Sequence, residues 1–460
     1  MLKRFFGNKQ FYKHLVLLMI PIVIQNGLTN FVNMLDNVMI GKYGTVEMVG
    51  VSITNQLMFV YNLCIFGAVS GAGIFGAQFF GNKDIKGVRD TFRFKVLFCT
   101  AITVLMIAVF AIFDDGLLNL YLKGESEIED ALGSLAAGKT YLAIMLIGLI
   151  PAAIVQCYTS TLRETGKTLP PMISGVIAIA VNLALNYVLI FGKFGAPEMG
   201  VAGAAIATVV SRFIECTILV LYTQLTRHTN AFIIGAYKSF KVPMSIVKGF
   251  VAKGLPLMAN ETLFAAGHAI VHQSYSLLGY DVVIANNVVH TFFGVFSVVF
   301  MSAGVAIGII LGQELGAGKT DTAKDHAIKY ITFAVMISVV IGVLFAIAAE
   351  FIPELYDIDS PATKLLATRM MQISAICFPL GAFANACYFT LRSGGKMSVT
   401  IIFDSGFIWC ILVPVAFVLC RYTSLTIIPI FAICQGLDIV KCLIGGYFFN
   451  KGDWIKKIVN

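Results

Sequence analysis

Apolar residues run in blocks of about twenty along the whole chain, and short polar segments between the blocks hold most of the charge. A helix rises about 1.5 Å per residue, so each block is long enough to cross a hydrocarbon core of about 30 Å. The blocks predict helical spans at residues 15–40, 50–77, 96–113, 140–160, 171–191 and 200–223, then at 254–278, 283–312, 330–350, 370–390, 398–419 and 424–449. This reading gives twelve crossings and an all-α membrane protein. The first block follows a basic stretch, as in a signal peptide, but no small-residue cleavage site follows, so it reads as an uncleaved first span.

Composition supports the bilayer as solvent. Of the 460 residues, 58% are hydrophobic and 13% charged, with a mean hydropathy of +0.86, far from the usual make-up of a soluble domain. The net charge of +8 raises nucleic-acid binding as a class, but the basic residues lie in short loops between spans, so they report topology and no nucleic-acid partner is expected. Twenty-four of the 33 Lys and Arg residues fall on the side holding the N-terminus and seven on the other, with Arg212 and Lys441 inside spans. The positive-inside rule then places both termini in the cytoplasm of a multi-pass protein of the plasma (inner) membrane. The ten cysteines form no CxxC pair and read as small apolar fillers.

An internal repeat orders the twelve spans. At an offset of 235, Pro21 superposes on Pro256, Gly44 on Gly279, Gln78 on Gln313, Gly81 on Gly316 and Asp90 on Asp325. At an offset of 229, Leu162-Arg-Glu-Thr-Gly-Lys167 recurs as Leu391-Arg-Ser-Gly-Gly-Lys396. Six spans per repeat keep both halves in the same orientation, which predicts two six-helix lobes related by a pseudo-twofold axis along the membrane normal. The expected divisions are an N-lobe at 1–223, a cytoplasmic inter-lobe linker at 224–253 and a C-lobe at 254–460. The linker, with Lys238, Lys241 and Lys248, reads either as an amphipathic segment on the inner leaflet or as a solvated basic loop.

Ionisable groups in hydrocarbon cost about 3 kcal/mol or more each, so those inside spans need partners or a purpose. Asp36 on span 1, Asn182 and Asn186 one turn apart on span 5, and Thr208 on span 6 lie within one or two turns of a common depth, counted from the span ends. A carboxylate, two amide oxygens and a hydroxyl are hard ligands for a small cation such as sodium, and the carboxylate can take a proton instead. The plainer alternatives are helix capping or pairing with Lys42 for Asp36, and packing hydrogen bonds for the others. On span 7, Glu261, His268 and His272 share one helical face and form a candidate second proton or cation site. Asp404 on span 11 lies at a similar depth to Glu261. No metal beyond a coupling sodium, and no cofactor, is implied.

His268 and His272 have the spacing of a metal-binding helix, which raises an intramembrane metalloprotease. Ala269 stands where the general-base glutamate belongs, and this reading is remote. Arg212 with Glu215 and Asp438 with Lys441, each three residues apart, read as structural ion pairs within their own helices.

These residues together resemble the multidrug and toxic compound extrusion family, in its bacterial branch, over nearly the whole chain. The resemblance lies in Pro21 followed by Asp36-Asn37-Val-Met-Ile-Gly41, in the Leu162–Lys167 motif, in Asn182, Asn186 and Gly200-Val-Ala-Gly-Ala-Ala-Ile-Ala-Thr208, and in Glu261 after Gly254-Leu-Pro256. It implies an antiporter that exports small organic, often cationic, substrates in exchange for sodium ions or protons. It places Asp36, Asn182, Asn186 and Thr208 at the N-lobe cation site and Pro21 at a point of helix bending; the repetition at Pro256 favours a plain first-turn proline instead. Span 10 departs from the family pattern: Phe378–Asn385 holds no carboxylate where some members carry an aspartate, so Glu261 lacks that partner. The runner-up is a flippase for lipid-linked saccharides, which would need cations in the spans to hold pyrophosphate; Arg212 and Lys441 each have an acidic neighbour instead.

Overall fold

The computed structural model describes residues 5–122, 128–355 and 360–459, and all regular structure among them is helical. In chain order the helices are α1 Lys9–Tyr43, α2 Thr45–Gly81, α3 Ile85–Ile112, the short α4 Asp114–Leu122, α5 Ile128–Glu164, α6 Leu169–Ile190 and α7 Gly200–Leu225. The second repeat gives α8 Met244–Ser276, α9 Tyr280–Gly316, α10 Thr320–Ala348, α11 Pro361–Ser393, α12 Met397–Tyr422 and α13 Ile427–Lys451. Every expected span coincides with one of these helices, and most helices run beyond the apolar block that marks them.

Eleven of the helices among the described residues are long and apolar enough to cross a membrane. The twelfth expected crossing is α8, 33 residues long. Asn260, Glu261, His268, His272 and Gln273 interrupt its apolar run. This helix carries the second group of candidate residues.

The repeated sequence blocks mark two structural events. Both copies of the Leu-Arg-x-x-Gly-Lys motif end a helix: Gly166 and Gly395 take left-handed backbone angles, φ 79° and 73°, which end α5 and α11 without a Cβ clash. The Gln-x-x-Gly block is a close crossing. A Cβ on Gly81 would lie 2.0 Å from the Gln313 carbonyl oxygen, and one on Gly316 would lie 2.0 Å from that of Gln78. Residue i of one repeat meets residue j of the other and the reverse, the exchange that a two-fold relation produces.

Pro21 and Pro256 both lie inside their helices, each twelve residues beyond the start, at Lys9 and Met244. A first-turn role is therefore excluded for either. An interior proline deletes one i→i−4 hydrogen bond and presses its ring on the preceding turn.

Contacts divide the chain into two compact units. The first comprises Ile24–Gly76 and Asp84–Phe250; the second comprises the residues up to Val23, Ala77–Lys83 and the chain from Val251 onward. Both proline-bearing helices start in one unit and finish in the other. In the first unit α7 packs on α5 and α6, and α3 packs on α5. Gly203 brings α7 against the Leu189 backbone, since a Cβ there would stand 2.7 Å from its carbonyl. Such small-residue approaches replace the hydrophobic drive that lipid cannot supply. In the second unit α11 packs on α9, α10 and α13. Phe378 anchors this core, with the rings of Phe293, Phe300 and Phe345 at 5.3, 5.4 and 5.4 Å.

The segment after α7 is partly held against α3, with Lys238 and Lys241 exposed. A 3₁₀ turn, Ala231–Ile233, buries Phe232 and Ile233, while Arg89 and Arg93 of α3 donate to the carbonyls of Phe232, Ala231, Ala236 and Gly235 at 2.7–3.3 Å. The ten cysteines are all free thiols.

Candidate functional site

In the first unit, four residues marked by depth alone meet in one hydrogen-bonded chain. Asn186 Nδ2 donates to Asp36 Oδ1 at 2.7 Å and to Asn182 Oδ1 at 3.3 Å. Asn182 Nδ2 donates to Thr208 Oγ1 at 3.2 Å, and Thr208 in turn donates to the Ala204 carbonyl at 3.0 Å. The asparagines reach each other because they stand one turn apart on α6, and α7 brings Thr208 alongside through its Gly200–Ala207 small-residue face. Asn182 and Asn186 are buried. Asp36 is bonded to α6, so capping of its own helix and pairing with Lys42 do not describe its role.

One atom of this chain stands out. Asn186 Oδ1 is buried and has no hydrogen-bond partner among the described residues. A buried acceptor left in this way costs about 1–3 kcal/mol, and a cation or a proton-bearing group at that point would remove the cost. Asp36, Asn182 and Thr208 add a carboxylate, an amide oxygen and a hydroxyl to the same hydrogen-bonded chain, a hard, oxygen-rich set of the kind that suits a sodium ion. The described residues hold no group of three or more His, Cys, Asp or Glu side chains of the kind that binds a transition metal.

Two further residues complete the surroundings. Tyr141 of α5 is buried beside Thr208 and within electrostatic range of Asp36. A tyrosine in the first turn of an expected span reads as an interfacial anchor, which hides it in the sequence. Arg212, one turn after Thr208, is within electrostatic range of Asp36 and forms its expected ion pair with Glu215 at 3.0 Å.

The second unit brings its candidates onto one helix without joining them. Glu261 accepts a hydrogen bond from Tyr388 Oη of α11 at 2.6 Å. His268 packs its ring against Phe264 at 4.6 Å. His272 Nδ1 lies 2.8 Å from Asn286 Nδ2, and its ring is 5.2 Å from that of His290. Seven residues of helix separate Glu261 from His268 by about 10 Å, so these two do not bond each other directly, and each group has a neighbour of its own. Tyr388 and His290 come from neighbouring helices, which the periodicity of α8 cannot show.

The expected pairing of Lys441 with Asp438 is overturned. Lys441 Nζ lies 2.6 Å from Asp404 Oδ1 on α12, and Asn260 Nδ2 donates to Asp404 Oδ2 at 3.2 Å. Asn260 is fixed by Ser405, whose Oγ donates to its side-chain oxygen at 2.6 Å. A carboxylate on a neighbouring helix aimed at Nζ holds the ammonium in place of the one three residues back on its own helix.

Twelve helices of membrane length among the described residues, built from two repeats with polar side chains meeting inside them, define a polytopic membrane protein. The MatE family matches residues 21–188 and 256–418, one block in each repeat, and the chain belongs to that family. It is therefore a transporter and the metalloprotease reading falls. Among curated relatives, the probable multidrug resistance protein NorM of Thermotoga maritima is 26% identical over 97% of this chain and 94% of its own length. The probable multidrug resistance protein YoeA of Bacillus subtilis is 25% identical over 97% of this chain and 95% of its own. Among solved structures, an outward-facing multidrug resistance MATE family transporter of the MOP superfamily aligns with a TM-score of 0.85 at 16% identity, covering 96% of both chains. A point mutant of the Vibrio cholerae MATE transporter VcmN aligns with a TM-score of 0.86 at 16% identity, over 96% of this chain and 97% of that one. At that identity the likeness concerns the fold.

Proposed function

We propose that the protein is a secondary antiporter that exports small organic, cationic drugs or metabolites in exchange for sodium ions or protons, with Asp36, Asn182, Asn186 and Thr208 as its cation site. The observation that carries this reading is the hydrogen-bonded chain from Asp36 through Asn186 and Asn182 to Thr208, in which Asn186 Oδ1 is buried and unbonded among the described residues. The names borne by the relatives agree with an export role.

The proposed cycle has two states of Asp36. Ionised, it is held by Asn186 and by the field of Arg212. With sodium or a proton bound, its charge is cancelled and the hold of Arg212 on it is lost. A ligand shifts a two-state equilibrium only through its differential affinity, so the ion must favour the substrate-releasing state and the substrate the other. In this reading 1–223 and 254–460 are the N- and C-lobes, 224–253 links them, and both termini face the cytoplasm of the plasma membrane.

The test is dye export from intact cells expressing wild type or Asp36→Asn at equal membrane levels. Asparagine keeps the shape but cannot ionise, so efflux of a cationic dye should fall to the rate of cells without the protein. Wild-type efflux by Asp36→Asn would sink the assignment.

A further inference from the structure

Each repeat contains an inner polar node built on the same four helices, with the charges changed. In the first repeat, Arg163 Nη2 of α5 donates to Gln25 Oε1 of α1 at 2.6 Å. Gly175 of α6 faces Gln25 and Glu215, since a Cβ there would lie 3.2 Å from Gln25 Nε2 and 3.6 Å from Glu215 Oε1. Glu215 is bonded by Arg212. The repeat offsets are 235 for Gln25 and 229 for Arg163 and Gly175, and 226 where Glu215-Cys216 superposes on Lys441-Cys442. They carry Gln25 to Asn260, Arg163 to Arg392, Gly175 to Asp404, Glu215 to Lys441 and Arg212 to Asp438.

The second node is built on those residues, with Asp404 bonded to Asn260 and Lys441. An acid stands where the first node has glycine, a base where it has Glu215, and an acid where it has Arg212. Glu261, beside Asn260, has the uncharged Asn26 as its counterpart. Three carboxylates, Glu261, Asp404 and Asp438, thus face two cations, Arg392 and Lys441, all within electrostatic range of one another through Glu261 and Lys441. The node thus carries one carboxylate more than its cations, a surplus that a further cation or a proton would balance inside a membrane.

The surroundings of Lys441 show what kind of cation. Its Nζ is 2.6 Å from Asp404 and lies over the rings of Phe264 and Phe403, at 5.2 and 5.3 Å from their centres. A carboxylate with two aromatic faces is the chemistry that recognises an organic ammonium. The lysine also has a second place to go, because Asp438 lies one turn back on its own helix and within its electrostatic range. The backbone is irregular on both sides of the pair. Helix α12 is π-helical over Ile402–Gly406 and Ile408–Leu412, and α13 breaks at Leu437, directly before Asp438.

We propose that Asp404, Phe264 and Phe403 form a binding site for an organic ammonium, that Lys441 occupies it as a tethered substitute for the ligand, and that the site opens when Lys441 turns to Asp438. This deepens the export reading by naming where a cationic substrate binds, and it is independent of the role of Asp36.

Ethidium binding to the purified full-length protein in lipid nanodiscs, followed by fluorescence anisotropy, tests it. Lys441→Ala removes the competing ammonium and should tighten binding about tenfold, or 1.4 kcal/mol. Adding Asp404→Asn to that variant should abolish the gain. Asp438→Asn leaves the Asp404–Lys441 pair intact, so it should fold, and it should weaken binding about threefold by denying Lys441 its second partner. Unchanged or weaker binding by a folded Lys441→Ala, a gain that survives Asp404→Asn, or unchanged binding by Asp438→Asn overturns the proposal. Ethidium bound equally by all variants contradicts this site alone, whereas binding by no form, wild type included, contradicts organic-cation export as well.

Discussion

Tyr388 donates to Glu261 at 2.6 Å inside the second unit, a bond from a neutral donor to a carboxylate that has left water. Hydrogen bonds to charged groups contribute about 1.5–3 kcal/mol, so Tyr388→Phe should lower the thermal unfolding midpoint of the purified protein while a distant conservative change such as Ile112→Val should not. An unchanged midpoint would show that Glu261 finds another donor. The grouping of Asp36, Asn182, Asn186 and Thr208 was legible in the sequence because depth in a membrane can be counted along a helix from its ends. Tyr141, Tyr388 and the Asp404–Lys441 pair were not, because the partner comes from a different helix and depth says nothing about which way a side chain turns. For Lys441 the nearest acid in sequence, Asp438, concealed the nearest acid in space.

At the scale of elements, Gly81 and Gly316 make a reciprocal crossing at the ends of α2 and α9, where a Cβ would stand 2.0 Å from backbone oxygen. Backbone cannot swing aside as a side chain can, so Gly81→Ala and Gly316→Ala should each destabilise the protein by about 1–3 kcal/mol and by similar amounts. A thermal-shift assay in detergent that finds either substitution neutral would contradict the close packing. Pro21 and Pro256 give a second expectation. Alanine at Pro21 restores an i→i−4 hydrogen bond, so the thermal midpoint should rise; if bending of α1 is used in transport, dye efflux should slow several-fold. A stabilised Pro21→Ala with wild-type turnover would show that the kink is only structural. Apolar block length revealed the existence of these helices. It could not place the prolines within them, because the helices extend past their apolar blocks into polar sequence, by six residues before the expected start of α1 and ten before that of α8.

At the scale of the molecule, the repeat is stronger in its positions than in its residue types. Aligned by sequence, Asp36 meets Val271 and Glu261 meets Asn26, and the chemistry looks confined to single halves. By the same offsets Gln25, Arg163, Gly175 and Glu215 have counterparts in Asn260, Arg392, Asp404 and Lys441; the first two pairs keep their charge and the last two change it, a relation that residue identity alone does not register. The orientation deduced from basic residues makes its own prediction. A membrane-impermeant thiol reagent added to intact cells should leave cysteines introduced at Lys9 and Lys457 unlabelled and should label one at Lys193; the opposite pattern would invert the topology. Export itself is tested most directly by purified protein reconstituted into vesicles, with uptake of a cationic dye measured under separately imposed sodium and proton gradients. Wild type should concentrate the dye against its gradient when at least one of the two ions flows in the opposite direction, and Asp36→Asn should not under either. Equal dye accumulation by wild type and Asp36→Asn, or accumulation by wild type that is indifferent to both ion gradients, would contradict ion-coupled export through Asp36.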